Sequence, residues 1–286
     1  MATPSFLVIG HVTKDLVGGG YTLGGGATYA ALTALRLGRR PALLTRAEPE
    51  VAAQLRQALA GVEISCLPSR RTTTFRNIYG ANGREQHLLA VAEPIRAADL
   101  PAEWRVAPVV LLAPVAGEVP GELAGCFPGS LLGVAAQGWL RRCEADGIVQ
   151  PAPWQGGAAA LARADLVVFS EEDVAGNRTL VAEYAAQTRL LALTQGARGA
   201  TIYRHGAPTH VPAFPTTEVD PTGAGDVFSA AFLIAYEAGR EPLAAARFAN
   251  CAASFAVERP GTGGIPTYEQ VAARLREAGS AWGDTT

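Results

Sequence analysis

Lysine is almost absent from this 286-residue chain: of its 24 basic residues one is Lys14, the other 23 are arginines, and Asp15 follows the lysine. A G-x-x-x-x-G-K-[ST] phosphate loop is thereby excluded, since it needs the lysine for the β/γ-phosphates and the next hydroxyl for Mg²⁺. The motif set of protein kinases is missing as well. No G-x-G-x-x-G occurs, because "GGGATY" (24–29) and "GAGDVF" (223–228) both lack the third glycine, so a dinucleotide fold has no fingerprint here. Cys66, Cys126, Cys143 and Cys251 are scattered with no C-x-x-C pair, which argues for reduced thiols rather than zinc or disulfides. No apolar run approaches the roughly 18 residues of a membrane span, and "MATPSFLVIG" has no basic region before its apolar stretch. A cytoplasmic location is the expectation. With a net charge of −2 there is no excess of positive charge to attract nucleic acid or anionic membrane, so the expected ligand is small.

What the chain does have is apolar substance, 49% of its residues, enough for a large core. Continuous apolar runs at 5–10, 41–45, 108–113, 131–135, 165–169 and 190–194 predict buried parallel strands. Helical patterns fall at 26–38, 50–60, 157–164, 178–188, 223–238, 242–258 and 267–278. Strand and helix in alternation predict an α/β fold, a doubly wound, mostly parallel sheet with helices on both faces, formed by residues 1–286 as a single domain. "TTTFRNIYGANGREQHLLAV" (72–91) differs: two alternating runs flank the turn signal "GANG", which predicts a β-hairpin off the main sheet, a candidate lid.

The stretch "DPTGAGDVFSAAFLIAY" (220–236) sets an acid and two glycines before an apolar run that contains a single polar residue, Ser229, the pattern of a buried helix beginning near Gly223. A helix N-terminus offers unpaired N–H groups and a positive dipole end, and glycines let an anion approach the backbone. Asp226 in the first turn could take a proton from an attacking hydroxyl while the backbone stabilises a transferring phosphoryl group. A first-turn acid that only favours the helix dipole fits this stretch equally well.

"DPTGAGD" resembles the D-T-x-G-A-G-D signature of the ribokinase-like, or PfkB-type, carbohydrate kinases, and four further motifs occur in the family's order. "VIGHVTKD" (8–15) and "GGGATYAALTALRLG" (24–38) resemble its substrate-binding first strand and its G-G helix start. "LTQGARGATIY" (193–203) is similar to its T-x-G-x-x-G nucleotide turn, and "FANCAASFAVERPGTGGIPTYEQV" (248–271) to its adenine-side segment. The resemblance implies Asp226 as catalytic base, with Gly223, Ala224 and Gly225 as anion hole. It implies Asp15, Gly25, Tyr29 and His11 at the substrate, and Thr194, Gly196, Gly199 and Asn250 at the nucleotide. Taken alone, Asp15 is equally a turn residue and Asn250 a satisfied core amide.

Three departures bear on substrate and metal. Tyr29 stands where sugar kinases of the family carry Asn, and Gly26 and Ala27 replace the usual pair before it. Nine residues, 16–24, separate Asp15 from Gly25, too few for extra lid strands, so the expected lid is the 72–91 hairpin alone. Short first loops with an aromatic after G-G-x-x resemble the inositol-kinase-like branch. In place of the helper motif N-x-x-E the chain has "SEED" (170–173), leaving Ser170, Glu172 and Asp173 as oxygen donors for Mg²⁺, or as capping acids of a loop. Glu118 is expected to be a loop acid, Gln137 and Trp139 are undecided, and His87, His205 and His210 are expected in surface or structural roles. The implied activity is transfer of the ATP γ-phosphoryl to a small sugar or cyclitol, with Mg²⁺ and an optional monovalent cation, in a monomer or homodimer. Rival readings are a nucleoside kinase and a silent sugar- or nucleotide-binding relative.

Overall fold

A computed structural model of the chain describes residues 3–80, 83–155 and 157–281. The backbone is organised around a nine-stranded sheet. From one edge its strands are β15 (Ala207–Val211), β14 (Ala200–Arg204), β13 (Leu190–Thr194), β12 (Leu166–Ser170), β9 (Leu131–Ala135), β8 (Val109–Leu112), β1 (Phe6–Ile9), β4 (Pro41–Ala47) and β5 (Glu63–Pro68). The seven from β13 to β5 run parallel, whereas β14 and β15 are antiparallel. Strand order grows outward in both directions from the β1–β8 pair, so the topological switch point lies there.

Period-two alternation along β1 explains how one sheet serves two cores: Phe6 and Val8 point into one layer, Leu7 and Ile9 into the other, all fully buried. The first layer holds α1 (Gly26–Arg36), α2 (Pro49–Ala58), α5 (Ala224–Glu237), α6 (Pro242–Ala256) and α7 (Tyr268–Ala281); the second holds α3 (Ala158–Arg163) and α4 (Arg178–Gln187). Helix α5 is buried without a break from Val227 to Ala235, as its apolar run required. Glycine at 133 in β9 admits it to the sheet, because a Cβ there would stand 2.4 Å from a Leu233 methyl.

Each of the six expected strands and seven expected helices has its counterpart, and β5, β14 and β15 are additions to the large sheet. The lid differs from expectation. The hairpin is formed by β6 (Thr73–Gly80) and β7 (Gly83–Ala90), with the "GANG" turn partly outside the described residues. The nine residues 16–24, expected to be too few for further strands, fold with their neighbours into β2 (Thr13–Val17) and β3 (Gly20–Gly24), so the smaller sheet is four-stranded in the order β3-β2-β6-β7. The hairpin fits because its turn needs two residues: Gly18 and Gly19 take positive φ values of 49° and 95°, which glycine adopts without strain. A short ribbon, β10 (Arg141–Cys143) with β11 (Val149–Pro151), lies against the β7 edge through an antiparallel His87–Ile148 bridge.

Candidate active site

The carboxyl ends of β1, β8, β9, β12 and β13 form the rim where an open α/β sheet binds ligands. Two helices begin at this rim without a side-chain cap. Helix α5 has Gly223 at its N-cap in the left-handed conformation, φ 79°, and α1 has Gly25 there at φ 89°. Asp226 stands between them: a Cβ on Gly26 would lie 2.4 Å from its Oδ1, so only glycine lets α1 start against this carboxylate. Gly225 is exposed with nothing within 4 Å of a Cβ position, which leaves the start of α5 open to an approaching anion.

Asp226 is half-buried, and its carboxyl is pushed up to about 7. Burial is the main cause, the negative charge of Asp173 adds to it, and the guanidinium of Arg141 opposes both. A carboxylate poised near neutrality is suited to taking a proton at physiological pH.

Asp173 belongs to the turn after β12. Its Oδ2 accepts hydrogen bonds from Ser170 N–H and Ser170 Oγ, both at 2.7 Å, and its Oδ1 accepts one from Gln137 Nε2 at 3.3 Å. Ser170 thus orients Asp173, while Glu172 is exposed on the same turn. No group of three or more His, Cys, Asp or Glu side chains with metal-holding geometry occurs among the described residues. The donor set still fits Mg²⁺ in its usual form for phosphate sites, held by one or two carboxylates plus water and substrate oxygens.

Arg141 was not singled out by the sequence. From the start of β10 it donates through Nη1 to the Val115 carbonyl at 3.2 Å and to Gln86 Oε1 of β7 at 3.1 Å, so it connects the lid to the charge environment of Asp226. Its signal was the preceding turn: a Cβ on Gly138 would lie 2.3 Å from the Pro114 backbone, so "QG" is required for β9 to deliver Gln137 and Arg141 to the rim. Trp139 beside them is buried, donates from Nε1 to the Val119 carbonyl at 2.7 Å and stacks on Trp154 at 4.2 Å, a packing role.

On the substrate side, Asp15 lies on β2, half-buried, with Oδ1 accepting from Thr13 Oγ1 at 2.9 Å. Gly25 packs against the His11 carbonyl, 2.5 Å from where a Cβ would sit. The other two residues expected at the substrate are buried. Tyr29 is buried, and its ring lies 2.1 Å from a Cβ position on Gly223, so it supports the α5 start from beneath. His11 is fully buried with both ring nitrogens engaged, and it faces the hinge of the lid instead.

On the nucleotide side, Thr194 ends β13 in register with Ser170, and the 3-10 turn of residues 196–198 follows with Gly196 at φ 57° and Gly199 at φ 99°. Gly199 packs on the segment after β15, 2.3 Å from the Val211 carbonyl for a Cβ. That segment, Val211 to Pro215, lines with Arg247 and Ala278 a mostly apolar cavity of about 160 Å³. Asn250 Nδ2 donates to the Val211 and Pro212 carbonyls at 2.9 and 3.0 Å and so holds the cavity wall. Asp220 likewise organises backbone, accepting from Thr222 N–H at 3.0 Å and Gly261 N–H at 2.8 Å; burial raises its pKa, but these bonds outweigh it and hold the carboxyl below its ordinary value.

Glu118, expected as a loop acid, is 2% exposed. Its carboxylate accepts from three backbone N–H groups, those of His11 at 2.9 Å, Val115 at 3.0 Å and Ala116 at 2.7 Å, and so fastens the end of β1 to the end of β8 at the switch point. His205 and His210 are exposed as expected, and His87 pairs with Glu85 at 2.7 Å.

The maize inositol 3-kinase is 29% identical over 292 aligned residues, covering 92% of this chain and 73% of the maize protein. The Bacillus subtilis ribokinase is 44% identical over 82 residues, only 28% of each protein, and the bifunctional HldE of Bradyrhizobium diazoefficiens is 42% identical over 17% of its length. These two matches therefore span less than a third of those relatives. Among solved structures, one in which a pyrophosphate-dependent myo-inositol-1 kinase was converted into a myo-inositol-3 kinase superposes with a TM-score of 0.79 at 25% identity, covering 95% of this chain and 99% of that one. An Arabidopsis thaliana ribokinase complexed with ribose and ATP shares the fold at 20% identity, with a TM-score of 0.75 over 96% of this chain and 99% of its own. The model of the pfkB family of carbohydrate kinases matches residues 13–268, and the chain belongs to that family.

Proposed function

We propose that this protein transfers the γ-phosphoryl group of ATP to a hydroxyl of a cyclitol of the myo-inositol kind, with Asp226 as general base. The observation that carries the reading is the Asp226 carboxyl, poised at about 7 between two uncapped glycine helix starts. The substrate hydroxyl rests against Asp226 and gives up its proton to it as its oxygen attacks the γ-phosphorus in line, while the opposite bond to the β,γ-bridging oxygen breaks and ADP leaves. The start of α5, from Gly223 to Gly225, then stabilises charge on the transferred oxygens. Asp15 on the lid and Arg141 hold the remaining hydroxyls, the former as acceptor and the latter as donor. Asp173, oriented by Ser170, would hold Mg²⁺, and the ion would supply partial neutralisation of the donor phosphates. Thr194, Gly196 and Gly199 flank the phosphates, and the cavity between Val211 and Pro215 receives the adenine.

A cyclitol is favoured over a nucleoside by the extent of similarity to the maize inositol 3-kinase, 92% of this chain, against 33% for a Methanocaldococcus jannaschii nucleoside kinase. Pyrophosphate as donor is a second reading, supported by a solved pyrophosphate-dependent kinase complexed with myo-inositol, at 25% identity and a TM-score of 0.77. The apolar cavity speaks for ATP, since pyrophosphate has no base to fill it. The test is a product assay of purified protein with myo-inositol, ribose and adenosine against ATP and pyrophosphate in turn. Inositol phosphate formed from ATP is expected. Transfer from pyrophosphate alone would overturn the donor, and phosphorylation of adenosine alone would overturn the substrate.

A further inference from the structure

The backbone passes between the nine-stranded sheet and the four-stranded lid at four points, and all four meet at His11. The first crossing is His11 itself, between β1 and β2. At the second, between β3 and α1, Gly25 packs against the His11 carbonyl. At the third, entering β6, Thr73 Oγ1 lies 2.7 Å from His11 Nδ1. At the fourth, leaving β7, the Glu93 carbonyl lies 3.1 Å from His11 Nε2. Glu118 holds the His11 N–H to the main body at 2.9 Å.

The partners fix the tautomer. A carbonyl can only accept, so Nε2 carries the proton and donates to Glu93; Nδ1 is then an acceptor and takes the Thr73 hydroxyl proton. Thr73 is consistent with this, because its oxygen accepts from Ala92 N–H at 3.1 Å, joining the third crossing to the fourth. The neutral ring satisfies every group around it, whereas a second ring proton would face an oxygen whose own hydrogen then loses its acceptor.

We propose that His11 is a positioning residue, the pin of the lid hinge, which keeps β2 and β7 over the substrate site only while its imidazole is neutral and bonded to both Thr73 and Glu93. The proposal rests on the reading of the smaller sheet as a lid over Asp226. Its consequence for the reaction runs through Asp15 on β2, assigned above to the substrate hydroxyls, and Gln86 on β7, whose Oε1 accepts from Arg141. The charged groups facing the ring are Glu118 from the loop after β8, Glu93 from the exit of β7 and Arg46 from β4. Burial lowers the pKa of the ring, Arg46 lowers it further, and Glu118 and Glu93 oppose them without prevailing. The sign follows: opening that exposes the ring restores its ordinary pKa of about 6.5, so acid favours the open lid, by up to about tenfold for each pH unit below that value.

Amide hydrogen exchange without substrate tests this separately from any kinase activity. Protection is compared at about pH 7.5 and about pH 5.5, after correction for intrinsic rates, in the wild type, His11→Gln and His11→Ala. In the wild type, residues 13–24 and 73–90 are expected to lose up to about tenfold in protection on acidification while the strands at 109–112 and 131–135 keep theirs. His11→Gln, which cannot titrate, is expected to abolish that pH difference, and His11→Ala to loosen the lid alone at both values. Equal loss in the lid and main sheet of the wild type and of His11→Gln, or a lid indifferent to pH in the wild type, would overturn the proposal. Should His11→Ala not fold, the pair of wild type and His11→Gln decides it.

Discussion

Two carboxylates of the sheet rim, Glu118 at the switch point and Asp226 at the mouth of α5, show how environment divides one functional group between two tasks. Glu118 is buried, yet three backbone N–H groups meet its oxygens, so its charge is solvated by the protein and it serves to fasten strand ends. Among the described residues Asp226 is given no comparable set of donors: it stands against Gly26 and feels the charges of Asp173 and Arg141. Its ionised form is therefore costly and its pKa rises to about 7. Burial alone does not make a base; burial without compensating donors does.

The contrast can be broken from either side. Asp226→Asn should have the largest effect, a loss of about 10²- to 10⁴-fold or more in kcat with little change in nucleotide affinity, because a general base acts on the transition state. Steady-state kinetics with ATP titration would check both halves. Gly26→Ala comes next: the added methyl must displace the Asp226 carboxylate, and misplacement of a catalytic group by about 1 Å costs on the order of 10²-fold. A thermal melt close to wild type alongside that loss would identify displacement rather than unfolding. Glu118→Ala should leave kinetics secondary and stability primary. It leaves three N–H groups without their acceptor, at about 1–3 kcal/mol each where water cannot reach them, read by denaturant titration. The smallest effect is a gain. Because the folded pKa of Asp226 is raised, its contribution to stability is lost as pH rises through about 7, so Asp226→Asn should melt at a higher temperature than wild type at about pH 8 and lose that advantage toward about pH 5.

Much of this was legible beforehand, for reasons specific to the elements concerned. Buried parallel strands are short continuous apolar runs, and β1, β8, β9, β12 and β13 declare themselves so. The start of α5 could be placed at Gly223 because two glycines and an acid precede a run with no competing helix start. Strands β2 and β3 were hidden because "GGG" (18–20) reads as loop, although two of these glycines form a hairpin turn that costs only two residues. The roles of Glu118 and His11 were hidden because each has a backbone partner far along the chain, His11 N–H 107 residues from Glu118 and the Glu93 carbonyl 82 residues from His11, which no local pattern encodes. Tyr29 was placed at the substrate by its position in a motif, but its ring fills the space beneath Gly223. The positive φ at the start of α5 belongs to Gly223, and Gly225 leaves that start open.

The most direct measurement is the pH dependence of kcat/KM for phosphoryl transfer in the wild type and in Asp173→Asn. The wild type should rise with pH and level off above an inflection near 7, as Asp226 loses its proton. Removing the charge of Asp173 should move that inflection to lower pH, since this charge is one of the causes that raise the Asp226 pKa. A rate independent of pH across this range, or an inflection that stays in place in Asp173→Asn, would contradict the assignment of Asp226 as the base.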